Sequence, residues 1–443
     1  MTDDLVVRGT RVALPVGLQP AAVTVTGGRI TGVVGHGDGP AGANVLDAGD
    51  RLVFPGLVDS HVHVNEPGRT SWEGFATATR AASAGGTTAI VDMPLNSIPP
   101  TIDRASLAAK RRAAVGQCAV DVAFWGGLTP DSVDEIEALA GEGVCGFKAF
   151  LVDSGVSEFP PVSEDVLRKA LPKLGALGLP LLVHAELPGL IRNCPSGGSY
   201  LDHLAARPSA AEDGAVKMLT DLVEETGAAV HILHLASGDA VELLAAAQKR
   251  GLPITAETCP HYLVFAAEDI DPRATLFKCA PPIRERRHRE LLWEGMAAGT
   301  VGMVVSDHSP APPEMKQSSG DFAAAWGGIS SLQLRLAATW TAAAARGIAV
   351  EKLVGWLATA PARLAGLDKG TIEPGKDADL IVWDPDAEFT VEPAGLHHRH
   401  PLSPYEGMTM RGVVETTIVR GRVVARNGEV VSQNGALLAR EHR

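Results

Sequence analysis

LVDSHVH (57–63) is a short apolar run that closes on two histidines, His61 and His63. Seven more runs of the same kind follow: TTAIVDM (87–93), VDVAFWG (120–126), CGFKAFL (145–151), PLLVHAE (180–186), VHILHLA (230–236), PITAETC (253–259) and VGMVVSD (301–307). Each reads as a strand. Ala-rich helical stretches lie between them, and Ser132 with Glu135 and Ser209 with Glu212 have capping-box spacing. Alternating β and α elements predict a parallel sheet, and eight units are the number that closes a (β/α)8 barrel. A doubly wound open sheet is the competing architecture.

The two flanks read differently. Residues 1–54 and 371–431 are short alternating strands broken by Gly, Asp and Pro, and neither flank alone has enough apolar surface for a core. They are expected to pair into one small composite β-sandwich, a discontinuous domain around a barrel at 55–370. Residues 432–443 read as a loose tail.

The 443 residues correspond to two or three domains at roughly 150 residues each. With 39 basic and 52 acidic side chains the formal charge is −13, which excludes a nucleic-acid surface as the default. The longest stretch without a charged residue, Val12 to Gly28, holds two prolines and three glycines, so no membrane span is expected. MTDDLVVRG has no basic n-region, and no signal peptide is expected. Cys118, Cys145, Cys194, Cys259 and Cys279 form no CxxC pair, and a reducing cytoplasm is the simple reading.

In a barrel the chemistry sits where the strands end. The first run ends with His61 and His63, the fourth carries Lys148, the fifth ends with His184, the sixth with His234 and the eighth with Asp307. His61 and His63 are two apart, so both imidazoles share one strand face and can reach one ion. An amine placed like Lys148 between Phe147 and Phe150 loses charge to its apolar surroundings. The neutral form can add CO2 to give a carbamate whose two oxygens bridge two cations. The bland alternative is a lysine snorkelling to the surface. His231 lies three positions before His234, so it is expected on the opposite strand face in a structural role. Asp307 is placed to ligate an ion and shuttle a proton. No activating partner is evident for Cys259 or Cys279, which read as packing or site lining.

The sequence resembles the cyclic amidohydrolases of the amidohydrolase superfamily, and most closely the allantoinases. The resemblance rests on PGLVDSHVHVNEPGR (55–69), GGTTAIVDMPLNSIPPT (85–101), GVCGFKAF (143–150), VHAE (183–186), HLAS (234–237), ETCPHYL (257–263), KCAPPIR (278–284), VSDHSPAPPEMK (305–316), AWGGI (325–329) and IEPGKDADLIVWDP (372–385). It implies a binuclear centre in which His61, His63 and Asp307 hold one divalent ion and His184 and His234 the other. Lys148, carboxylated by CO2, would bridge them. The implied metal is zinc, with cobalt, manganese or iron in relatives. The implied reaction is hydrolysis of allantoin to allantoate by a metal-bridging hydroxide, with Asp307 as general acid and base. Asn96, Ser309, Ala280, Gly327 and Gly328 are the implied substrate contacts, and a homotetramer is the implied assembly.

Two departures separate the chain from neighbouring groups. Dihydroorotases resemble a pattern with arginine two residues after the HxH motif, where this sequence has Asn65. Hydantoinases and dihydropyrimidinases resemble one with tyrosine five residues after the lysine, where it has Asp153. Arg69 is the group that can still serve a dihydroorotate-like carboxylate by swinging in. A metal-free scaffold protein would have lost ligands, and all six positions are filled.

Overall fold

The computed structural model describes residues 5–40, 42–316 and 319–440. All eight runs form parallel strands, here β1 (Leu57–Val62), β2 (Thr87–Asp92), β3 (Asp121–Phe124), β4 (Phe147–Phe150), β5 (Leu181–His184), β6 (Val230–Ile232), β7 (Ile254–Thr258) and β8 (Met303–Val304). β1, β2 and β3 pair in one ladder. Gly126–Gly127, just past β3, opens a second that runs through β4 to β8. The ring closes where Val62 bridges His308 in parallel and the His63 amide donates to the His308 carbonyl at 2.9 Å. The strands are buried on almost every residue, as a barrel covered by helices requires.

The helices form where expected, but the two expected capping boxes do not. Ser132 Oγ instead accepts the Thr129 amide inside its own turn, at 2.8 Å. Glu212 is drawn away from the helix start at Ser209 by the buried Arg284 guanidinium, at 2.5 Å. A carboxylate that meets a buried guanidinium is held more strongly than by one amide. The capping boxes that do form are Asp103 with Ser106 and Ser199 with Asp202.

Both chain ends contribute to one nine-stranded sheet, eight strands of it hydrogen-bonded as a continuous path and the ninth, Asn44–Asp47, pairing off that path with Leu5–Arg8. It is joined where Leu380–Trp383 pairs antiparallel with Leu52–Pro55. Val7, Val23, Val53, Leu380 and Ile418 form its own apolar core. The final segment, expected to be loose, is docked through residue 440; residues 441–443 lie outside the described residues. Leu437 bridges Val122 of β3, and Ala436 and Leu438 exchange backbone hydrogen bonds with it at 2.9 and 2.8 Å. The reason is an open edge: strand pairing with β4 begins only at Gly126, so the edge of β3 away from β2 would otherwise leave the Val122 amide without a partner.

Where the sheet meets the start of β3, Lys369 lies among Asp379, Asp377 and Asp121 at 2.6, 2.7 and 2.9 Å, and Arg420 also pairs with Asp121. No described helix is long and apolar enough to cross a membrane.

Candidate active site and metal centre

The strand ends converge on a cavity of about 280 Å³. His63, Lys148, His184, His234 and Asp307 line it, and His61 is buried just behind them. Asp307 Oδ1 lies 3.1 Å from His61 Nε2 and 3.5 Å from His63 Nε2, and Lys148 Nζ lies 3.4 Å from His61 Nε2. The His234 ring centre is 5.4 Å from that of His61 and 4.6 Å from that of His184. The six residues singled out from strand ends therefore form one cluster.

His234 and Asp307 sit in the left-handed region, with φ of 35° and 43°. Such backbone costs a non-glycine residue about 1–3 kcal/mol and persists only where the surroundings impose it. It also overturns the expectation that His231 and His234 lie on opposite faces. Strand alternation holds only to Ile232, after which the turn at His234 re-aims its side chain. His231 joins the same network: its Nε2 is 3.1 Å from Glu257 Oε2, while Glu257 Oε1 accepts from His61 Nδ1 at 2.5 Å. The structural role expected for His231 fits this geometry, as a prop for Glu257.

Glu257 and Glu186 were missed in the sequence. Each fixes one imidazole: Glu257 holds the His61 ring so that Nε2 faces Asp307 and Lys148, and Glu186 holds His184 through Nε2 at 2.6 Å. The available signal for Glu186 was its spacing, two residues after His184 on the same strand face. Burial holds the His63 imidazole down to about 3 and keeps His234 well below its ordinary value, so both are neutral donors. Burial also lowers the Lys148 amine to about 8, against the pull of Asp307 and Glu257. Cys259 and Cys279 are buried thiols pushed up by burial, which fits packing rather than nucleophilic attack.

Asn96, Ser309, Ala280, Gly327 and Gly328 all line the same cavity. Gly328 has a φ of 138°, and a Cβ there would stand 2.3 Å from the Ser309 carbonyl, so only glycine fits this wall. Arg207, His203, Lys278 and Asp153 line it too and had not been singled out as contacts. Arg69 does not: it donates to the Asn96 carbonyl at 2.8 Å, pairs with Glu158 at 3.1 Å and lies over Trp72.

The amidohydrolase family model matches residues 52–424. An allantoinase from Streptomyces avermitilis is 50% identical over all of both chains. One from Arabidopsis thaliana is 42% identical, covering 97% of this chain and 90% of its own. Among solved structures, an L-hydantoinase (dihydropyrimidinase) from Arthrobacter aurescens aligns with a TM-score of 0.94 at 30% identity, covering 99% of this chain and 100% of that one. The chain belongs to the amidohydrolase family.

An amidohydrolase is expected to hold divalent metal, and the donor set fits one. His61, His234 and Asp307 offer ligand atoms within 4.8 Å of one another. The Nδ1 atoms of His63 and His234 are buried without a hydrogen-bond partner. Unpaired buried imidazole nitrogens beside a carboxylate are costly in an apo protein and become ligands when a cation is present.

Proposed function

We propose that this amidohydrolase opens the hydantoin ring of allantoin to give allantoate, hydrolysing one cyclic amide C–N bond in ureide catabolism. The full-length 50% identity to an allantoinase carries this reading. The cavity supports it: Asp153 lines the wall at the position where hydantoinases resemble a tyrosine pattern. Asn65 does not line the cavity, and Arg69, held by Glu158, leaves no dihydroorotate-like role for itself.

His61, His63 and Asp307 would hold one divalent ion and His184 and His234 a second, with Lys148, carboxylated by CO2, serving both. Zinc is the proposed metal, with cobalt, manganese or iron as alternatives. Bound divalent ions acidify water near neutral pH and polarise the ring carbonyl. Asp307 is ionised because His61 and His63 outweigh its burial, so it can take a proton and return it to the leaving nitrogen. Asn96, Ser309 and the backbone at Ala280 and Gly327–Gly328 orient the ring. Residues 55–370 form the catalytic domain, 1–54 with 371–431 the accessory one, and the assembly is a homotetramer. The five cysteines are free thiols, which supports a reducing cytoplasm.

The test is turnover of allantoin, hydantoin, dihydrouracil and dihydroorotate by protein of measured metal content. Allantoin should give the highest kcat/KM. The likeness to a hydantoinase structure makes hydantoin the rival, and equal or better turnover of hydantoin or dihydroorotate would overturn the proposal.

A further inference from the structure

The motif VSDHSPAPPEMK (305–316) ends on a lysine that no step above uses. Lys316 is 5% exposed, and no carboxylate pairs with it among the described residues. Its Nζ donates instead to three backbone carbonyls: Gly328 at 2.6 Å, Trp326 at 3.0 Å and Lys278 at 3.2 Å. An ammonium has three protons, and all three are used. The carbonyls belong to the two segments that face substrate, 278–280 and 326–328. The Gly328 amide donates to the Lys278 carbonyl at 2.8 Å, and the Trp326 amide donates to the Met315 carbonyl at 2.7 Å. Lys278 adds a second tie, its own Nζ donating to the Ala325 carbonyl at 2.6 Å.

A buried ammonium without a counter-ion is an expensive way to fill space, and a leucine would pack more cheaply. Burial, with a smaller push from the Lys278 cation, takes this amine down to about 7, while three carbonyl dipoles favour its charged form. What the lysine supplies that an apolar side chain lacks is a fixed distance between two stretches of backbone. We propose that Lys316 is a positioning residue for substrate, holding the wall of Lys278–Ala280 and Trp326–Gly328 in the register that receives the amide of the substrate ring. The proposal rests on the cyclic-amide reading of the same cavity. Lys316 itself does not line the cavity. It acts through the backbone it binds, and a displacement of about 1 Å in such a wall can cost about a hundredfold in kcat/KM.

The experiment compares wild type, Lys316→Met and Lys316→Arg with allantoin and hydantoin, alongside metal content and thermal melting. Lys316→Met should keep its metal and most of its kcat while KM rises roughly ten- to hundredfold, because ring-amide binding is shared by ground and transition states. The rise should be similar for both substrates, which share the ring, and Lys316→Arg should recover part of it. An unchanged KM in folded, metal-loaded Lys316→Met overturns the proposal, as does a loss of kcat in step with metal. If Lys316→Met does not fold, Lys316→Gln, which keeps two donors, carries the same test. Failure of both to fold would make Lys316 a fold residue only and sink the idea. Should wild type turn over hydantoin but not allantoin, the substrate assignment fails, while the effect of Lys316 is still read on hydantoin.

Discussion

Two buried lysines near the two ends of the barrel strands are treated in opposite ways. Lys369, beside the start of β3, is enclosed by Asp121, Asp377 and Asp379, all within 2.9 Å, and their charges raise it above its ordinary value despite burial. Lys148, in β4 at the cavity, has no carboxylate within ion-pair distance among the described residues, and burial takes it down to about 8. Around Lys369 opposite charges meet in close ion pairs, whereas around Lys148 imidazole nitrogens are buried without partners. A buried polar cluster that satisfies itself is a fastening; one left short of partners is built to receive something from outside.

The largest effect should follow from replacing the unsatisfied lysine. Lys148→Ala removes the only amine in the cluster able to become a carbamate, so kcat/KM should fall by upward of about a thousandfold, with loss of metal. Added short carboxylic acids should restore part of the activity by filling the gap. Carbon-13 NMR with labelled bicarbonate checks the modification directly, and a bare amine in fully active, metal-loaded enzyme would remove Lys148 from the bridging role.

The satisfied lysine should fail differently. Lys369→Met leaves three carboxylates facing one another, two of them fully buried in side chain, and should cost about 3–5 kcal/mol of stability. Denaturant unfolding measures the loss. Activity per folded, metal-loaded molecule should stay within about twofold, since the cluster lies at the opposite end of the strands from the cavity. A comparable fall in kcat at unchanged stability would erase the distinction between fastening and site.

The same contrast explains what could be read in advance. Strands show in the sequence as apolar runs, and a ligand at a strand end shows as a polar residue closing such a run; five of the six proposed ligands read that way, while Lys148 lies inside its run. The props were not. Glu257 reaches His61 across 196 positions, and nothing local marks that pairing. His231 and His234 were assigned to opposite faces because alternation was carried one turn too far, past the left-handed residue at His234. The docked tail escaped notice because its partner is an edge of β3 left open by where pairing with β4 begins. Local pattern specifies elements and their ends, while long-range pairing specifies which polar groups end up satisfied.

The smallest effect concerns acid. His398 is buried beside His308, with their ring centres 5.4 Å apart. Burial, then the neighbouring His308, holds it down to about 4, while Glu73 and a hydrogen bond with the Leu402 backbone pull the other way. In the unfolded chain the same imidazole takes its proton near about 6.5. Above that value both states are neutral and His398 adds no pH dependence. As pH falls from about 6.5 toward 4, the unfolded chain binds the proton first, so stability is lost across that window. At pH 5 the loss from His398 should be about 2 kcal/mol. His203, also held to about 4 by burial, adds a second contribution in the same window. His398→Phe should therefore melt at or above the wild-type temperature at pH 7.5 and lose less on acidification to pH 5. An identical acid shift in wild type and variant would show that His398 already carries its proton when folded, and would remove it from the acid-sensitive groups.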